Sequence, residues 1–277
     1  MHMNIKIAVL TLVKGRNYAL MNLIKGLSAN PVAEFELIIV HMNEKTCITP
    51  PCAFPVLSVS YYSKEQLPLA KARNFAISKT NAQHCIFLDV DCIPSANFIR
   101  SYAAAFNKAD RLWSGQVRYL NEKFSSETKA ADLDACSTPD PVRGGLADIP
   151  YELFWSLNFG CSRTVFDKIG GFDEDYMGYG AEDTDFSFTA RAKGIELTTV
   201  GAVAYHQPHA SYDPPLNHLE DIISNAGVFY RKWNRWPMEG WLKKFADLGY
   251  ISWSNNELVL LSYPEQSAID LCLKSSS

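Results

Sequence analysis

The sequence predicts an α/β protein built on an open, largely parallel sheet. Three observations carry this expectation. Short β-rich runs alternate with helical patterns through the first 118 residues. The runs are almost continuously apolar instead of alternating, as in strands covered on both faces. One of them ends in a pair of aspartates, at the carboxyl end of a strand where open α/β sheets bind ligands.

The elements follow in order. "IKIAVLTLV" (5–13), "FELIIVH" (35–41), "PVLSVSY" (55–61) and "HCIFLDV" (84–90) read as strands. Residues 17–27 and 64–78 read as helices, the second with Leu69, Ala72, Phe75 and Ala76 on one face. Pro94 and Ser95 open a further helix, "SANFIRSYAAAFNKA". From residue 120 to 150 the pattern gives way to a polar, turn-rich passage, expected to be one long loop region. "YELFWSLNFGCS" (151–162) reads as a strand. "RTVFDKIGGF" reads as a helix stopped by Gly170 and Gly171. A helix starting near Asp183 ends at Gly194, and "IELTTVGAVAYHQPH" is a strand leading to two histidines.

The chain has 277 residues, of which 47% are hydrophobic and 20% charged, the make-up of a soluble globular protein. A net charge of −4 gives no footprint for nucleic acid. Seven cysteines without a CxxC pair read as free thiols in a reducing compartment. The opening "MHMNIKIAVLTLV" has neither the basic flank nor the long apolar core of a signal peptide, and no apolar run is long enough for a membrane span. A cytoplasmic enzyme is the expectation.

Three constellations carry chemistry. In "CIFLDVDCIP", Asp89 and Asp91 stand at i and i+2, side chains on one side of an extended chain and roughly 6.5–7 Å apart along it. Such a pair serves a hard divalent cation and a neighbouring hydroxyl or water, or else it is a solvated loop. In "GYGAEDTDF", Gly178 and Gly180 flank Tyr179, and Glu182 and Asp183 then begin a helix. Helix capping accounts for one acid there, but less well for Glu182, Asp183 and Asp185 together. In "YHQPH", His206 and His209 could complete the shell of a manganese-type ion begun by Asp91, or be structural.

Taken together, "LPLAKARNFAISKTNAQHCIFLDVDCIP", "NFGCSRTVFDKIGGFDEDYMGYGAEDTDFSFTARAKG" and "YHQPH" resemble the family 2 glycosyltransferases of the GT-A fold. The second block is most similar to the galactosyltransferase-type region of β-1,4-galactosyltransferases, polypeptide N-acetylgalactosaminyltransferases and chondroitin-type polymerases. The resemblance covers residues 5–210. It implies a Rossmann-like mixed central sheet flanked by helices, in a single catalytic domain over residues 1–236. Residues 1–118 would bind the nucleotide sugar, residues 119–236 would form the acceptor half, and 237–277 would be an extension. It implies Asp91 as metal ligand with His206, or His209 in its place, and Mn2+ or Mg2+ as the ion. Asp89, Thr11, Arg73 and Tyr179 would contact the nucleotide sugar, Asp183 would be the base, and Glu182 would help hold a sugar. Where many relatives place an Asp to read the nucleotide base, this chain has "HMNE" (41–44).

The implied activity is an inverting, metal-dependent transfer of a hexose or N-acetylhexosamine from a nucleotide diphosphate sugar, UDP being the first expectation. The acceptor would be a saccharide or a lipid-linked saccharide, as in polysaccharide biosynthesis. An ion neutralises the leaving diphosphate and a helix-start carboxylate, expected to be ionised at neutral pH, takes the acceptor's proton. Two alternatives stand beside it. A sugar-nucleotide pyrophosphorylase would need a glycine-rich phosphate loop, and "TLVKGRNYAL" has one glycine. A non-catalytic sugar-binding module would tolerate loss of the acids and ligands, which are all present. The aromatic and basic "RKWNRWPMEGWLKKF" reads as a helix packed on the domain, or else as a peripheral membrane contact.

Overall fold

The computed structural model of the chain describes residues 6–31 and 34–274. The first half runs β1 (Ile7–Val13), α1 (Asn17–Ser28), β2 (Phe35–Met42), β3 (Val56–Tyr61), α2 (Leu69–Ser78), β4 (His84–Leu88), β5 (Cys92–Pro94), α3 (Phe98–Phe106) and β6 (Leu112–Leu120). It continues with β7 (Ser137–Pro139), β8 (Asn158–Ser162), α4 (Arg163–Ile169), α5 (Glu182–Ala192) and β9 (Leu197–His206). Among the described residues these strands form one mixed sheet in the order β3-β2-β1-β4-β8-β6-β9-β5, with β7 added on β6. The pairs among β3, β2, β1 and β4 are parallel. β8 runs antiparallel between β4 and β6, and β5 antiparallel to β9.

The apolar strands are covered on both faces, as their composition predicts. In β1, Ala8 and Leu10 join the core shared with α2, α4 and α5, while Ile7, Val9 and Val13 join the core shared with α1 and α3. Ile5, the first residue of the predicted strand, lies outside the described residues.

Several elements depart from the sequence reading, each for a local reason. Helix α2 begins at Leu69 and not at 64, because Pro68 disfavours helical backbone in the residue before it. "CIP" forms the edge strand β5, so the helix expected from Pro94 starts only at Phe98. Only Asn158–Ser162 of "YELFWSLNFGCS" is a strand; Tyr151–Leu153 is a single 3₁₀ turn. β6 went unpredicted because its interior mixes Ser114, Gly115, Gln116 and Arg118 with apolar residues. The 120–150 passage is largely irregular but contributes β7.

The C-terminal part adds β10 (Ser211–Tyr212), α6 (Leu219–Trp233), α7 (Glu239–Asp247), β11 (Ile251–Trp253), β12 (Leu258–Leu260), α8 (Gln266–Leu271) and β13 (Leu273–Lys274). A separate apolar cluster joins Leu219, Ile222 and Ala226 of α6 to Leu242, Phe245 and Ile251. It crosses the division expected at residue 236. "RKWNRWPMEGWLKKF" is two helices and not one: Asn234 ends α6 in the left-handed conformation, and α7 follows. Its aromatic side chains face the protein. The Trp233 Nε1–H donates to Asp185, the Trp236 Nε1–H to the Ser254 carbonyl, and Phe245 is fully buried. Among the described residues no helix is long and apolar enough to cross a membrane.

Candidate active site

The site is assembled beyond the carboxyl end of β4. After Leu88 the chain turns: the Asp89 N–H donates to the Leu157 carbonyl, and the Asp89 carbonyl accepts from the Cys92 N–H, both at 2.9 Å. β5 then pairs with β9 so that Cys92 lies opposite His206. The Gln207 N–H donates to the Asp91 carbonyl at 2.7 Å, which locks the histidine strand end beside the aspartate turn. The Gln207 side chain is held in turn by Asn22 (2.7 Å) and by the Ala19 carbonyl of α1 (3.2 Å).

These contacts bring Asp91, His206 and His209 together. One potential ligand atom from each lies within 4.8 Å of the others. The His206 Nε2 is 3.6 Å from Asp91 Oδ1, and the His209 Nε2 is 3.3 Å from Oδ2. Adjacent donors on an octahedral ion with bonds near 2.1 Å stand about 3 Å apart, so a small contraction would close the set on a cation. Burial pushes His206 down to about 4 and lowers His209 as well. Both imidazoles are therefore neutral at physiological pH, the state a metal ligand requires. One carboxylate with two imidazoles suits a manganese-type ion better than magnesium. The residues fit the group, and both histidines stand within reach of Asp91.

Asp89 makes a separate contribution. Burial raises its carboxyl, and the positive charge of Arg73 opposes that rise most strongly. Arg73, expected at the donor, is buried beneath the site. Its Nη1 pairs with Glu182 Oε1 at 2.8 Å, its Nη2 donates to the Ser156 hydroxyl at 2.7 Å, and its guanidinium lies over the Phe172 ring. Glu182 is thus engaged by Arg73 and only 5% exposed. Thr11 lies inside β1, 1% exposed, its hydroxyl without a partner among the described residues.

Asp183 sits in the first turn of α5, where the sequence places it. Its Oδ2 accepts from the Ser156 N–H at 3.3 Å and its Oδ1 from the Thr184 N–H at 2.7 Å. The expectation of a fully ionised carboxylate does not hold. Burial and then the neighbouring Glu182 charge push Asp183 up to about 7, against the opposing pull of Arg73 and the two backbone N–H groups. Helix-terminal stabilisation is outweighed by desolvation. A carboxyl poised there alternates between base and acid near neutrality. Asp185, the third acid, is structural: Tyr176, Trp233 and Lys232 all bond to it.

Tyr179 stands in the glycine-flanked turn, with Gly178 and Gly180 both in the left-handed region. Its ring stacks on His218 at 4.5 Å, and its N–H donates to Asp221. Burial, then the charges of Glu182 and Asp183, push its hydroxyl up to about 12, which marks it as a neighbour of the acid pair.

Four residues in and around the site escaped the sequence reading. Arg16, on the loop after β1, pairs with Asp91. A basic residue between the first strand and first helix was the available signal. Trp155 precedes Ser156 and carries the Arg143 guanidinium over its ring at 4.3 Å. Arg143 is fixed by a buried pair with Asp140 at 2.9 Å, which no local pattern announces. Glu44, at the end of β2, accepts from the Gly15 N–H at 2.7 Å and lies 3.2 Å from His41 Nδ1.

Comparison with known proteins agrees with this architecture. Residues 147–210 match a family described as the N-terminal domain of galactosyltransferase. A validoxylamine A glucosyltransferase from Streptomyces hygroscopicus subsp. jinggangensis is 40% identical over 168 residues, covering 51% of this chain and 40% of the relative. The chain thus spans well under half the length of that relative. Chondroitin synthase from Pasteurella multocida is 36% identical over 63 residues, 22% of this chain and 6% of the synthase. Among solved structures, S. aureus TarS 1-349 superposes with a TM-score of 0.56 at 14% identity, covering 81% of this chain and 65% of that one. GalNAc-T7, described with UDP, GalNAc and Mn2+, superposes with a TM-score of 0.56 at 12% identity, covering 89% and 57%. The chain therefore has the fold of these GT-A neighbours, and its residues 147–210 match a galactosyltransferase-type region.

Proposed function

We propose that this chain transfers a hexosyl or N-acetylhexosaminyl group from a nucleotide diphosphate sugar to an acceptor hydroxyl, with inversion at the anomeric carbon. The observation that carries the reading is the convergence of Asp91, His206 and His209 beyond the carboxyl end of the sheet. Those three residues would hold a divalent cation, Mn2+ before Mg2+. When bound, the ion supplies positive charge to the departing diphosphate. Asp89, at the same turn, would meet the donor's hydroxyl groups. Asp183 takes the proton of the acceptor hydroxyl as the new glycosidic bond forms, and the Ser156 and Thr184 N–H groups orient its carboxylate. Arg73, held by its pair with Glu182, lies beneath Asp183 and limits the rise that Glu182 adds to. A single displacement uses one carboxylate opposite the leaving group, so no second carboxylate need act as nucleophile.

The relative named for glucosyl transfer supports a hexose donor and a small or saccharide acceptor. Neighbours in fold are described with UDP-GlcNAc and with GDP-Man and Mn2+, which supports a nucleotide sugar and leaves UDP and GDP both in the test. The decisive experiment incubates the protein with UDP- and GDP-hexoses, Mn2+ and saccharide acceptors, and follows nucleotide release and product mass. Metal-dependent product with the anomeric configuration inverted is the expected result. Turnover unaffected by chelator, or by Asp183→Asn, would sink the reading.

A further inference from the structure

Asp91 is the buried carboxylate of the ligand cluster, and its charge is answered by Arg16. The Arg16 Nη1 pairs with Asp91 Oδ2, and Nη2 lies 3.4 Å from the His209 Nδ1. The guanidinium therefore engages the same carboxylate oxygen that faces the His209 Nε2. A divalent cation on Asp91, His206 and His209 and a guanidinium on Asp91 would be like charges a few ångströms apart, and they would repel. A cation and Arg16 would therefore compete for the charge of Asp91.

The backbone that carries Arg16 is held, and its side chain reaches Asp91 from a partly exposed position. The Gly15 N–H is fixed by Glu44, Glu44 is braced by His41, and the His41 Nε2 reaches the Ser58 hydroxyl at 3.0 Å. The Arg16 carbonyl accepts from the Leu20 N–H as α1 begins. The Arg16 side chain is 39% exposed, against 8% for Asp91. A planar guanidinium displaced from a carboxylate keeps a fork suited to two phosphate oxygens.

We propose that Arg16 is an internal cation that neutralises Asp91 before the metal arrives and, once displaced, grips the diphosphate of the donor. Metal and donor then bind cooperatively, because each gains from the same movement of Arg16. Linkage makes the effect reciprocal: nucleotide raises metal affinity by the factor by which metal raises nucleotide affinity. The inference rests on the metal centre of the proposed function and adds to it a residue that orders its assembly.

The test measures Mn2+ binding by the loss of the free-ion electron paramagnetic resonance signal, with the intact chain, alone and with UDP or GDP. Arg16→Gln should bind Mn2+ alone about five- to tenfold more tightly than the parent, the scale of one close charge pair at a partly exposed site. The nucleotide that enhances Mn2+ binding to the parent should enhance it less in Arg16→Gln, by a similar factor. Arg16→Lys keeps a charge without the fork, and should bind Mn2+ alone like the parent while losing part of the nucleotide enhancement. If Arg16→Gln binds Mn2+ alone no more tightly than the parent while Asp91→Asn abolishes binding, the metal centre stands and the role of Arg16 falls. If the parent binds no Mn2+ with either nucleotide, both fall together.

Discussion

Arg73 and Glu182, 109 positions apart in the chain, meet as a buried ion pair at 2.8 Å. Arg73 comes from α2 beside the parallel half of the sheet, and Glu182 opens the helix that also presents Asp183. The contact joins the two halves of the fold directly under the reactive end of the site. Both side chains are almost fully enclosed. Removing one partner of such a pair leaves a buried charge unanswered and costs about 3–5 kcal/mol. Arg73→Met should lose stability on that scale in denaturant unfolding. Arg73→Met combined with Glu182→Leu should recover a substantial part of the loss, which a merely additive pair would not do.

Asp183 gives the clearest pH signature. Its folded value, pushed up to about 7, lies well above its ordinary 3.8. The acid limb of the rate profile should therefore fall near pH 7, because the base must be deprotonated to act. Arg73 opposes that rise, so Arg73→Met should move the limb to higher pH. A carboxyl raised on folding favours the folded state while it is protonated, and this contribution is lost as pH rises through 7. Asp183→Asn should accordingly unfold at higher temperature than the parent at pH 8. The difference should close as the pH falls toward 4, where both states carry the proton. Equal melting temperatures at pH 8 would contradict the raised value.

His206 and His209 are expected to be unequal partners of one centre. His206 is held by the β9–β5 ladder opposite Cys92, whereas His209 follows Pro208 on a loop, its Nδ1 beside the neighbouring Ala210 carbonyl. Loss of a ligand on a rigid element should cost more than loss of one on a loop. Mn2+ titration should show His206→Ala weakened by about a hundredfold and His209→Ala by a smaller factor. The reverse order would place the centre nearer the loop.

Much of this site was legible because the chemistry is written in short local patterns. The aspartates at a strand end, the acids at a helix start and the histidines at another strand end each announce themselves within ten residues. The topology then needed only to bring three ends together. What the sequence hid is long-range. Arg73 is assigned to the donor by the resemblance, and its pair with Glu182 appears only in the fold. Arg143 lies in a stretch without periodicity, and its guanidinium meets the Trp155 ring only in the fold. The charge state of Asp183 was misread because helix position is local, whereas burial is a property of the whole fold. β6 was hidden by its own irregularity. Its register shifts at Gly115, where Asn158 crowds the space a side chain would take and bonds to the Gln116 and Ala202 carbonyls.

The turn that carries Tyr179 depends on Gly178 for two separable reasons. Its φ of 72° lies in the left-handed region, where a Cβ costs about 1–2 kcal/mol. An added Cβ would also stand 2.3 Å from the Asp221 Oδ2, the atom that accepts the Tyr179 N–H. Gly178→Ala therefore adds backbone strain and breaks the bond that seats Tyr179 against His218. It should lower stability by about 2–3 kcal/mol, the sum of the strain and one lost part-buried hydrogen bond. Asp221→Ala alone removes the bond but not the backbone preference, and should cost about 1 kcal/mol. In the double variant the clash is gone and only the strain and the missing bond remain. Its loss should then fall below the sum of the two single losses. A strictly additive cycle would show that Asp221 is not what confines position 178, leaving the left-handed backbone as the whole requirement for glycine.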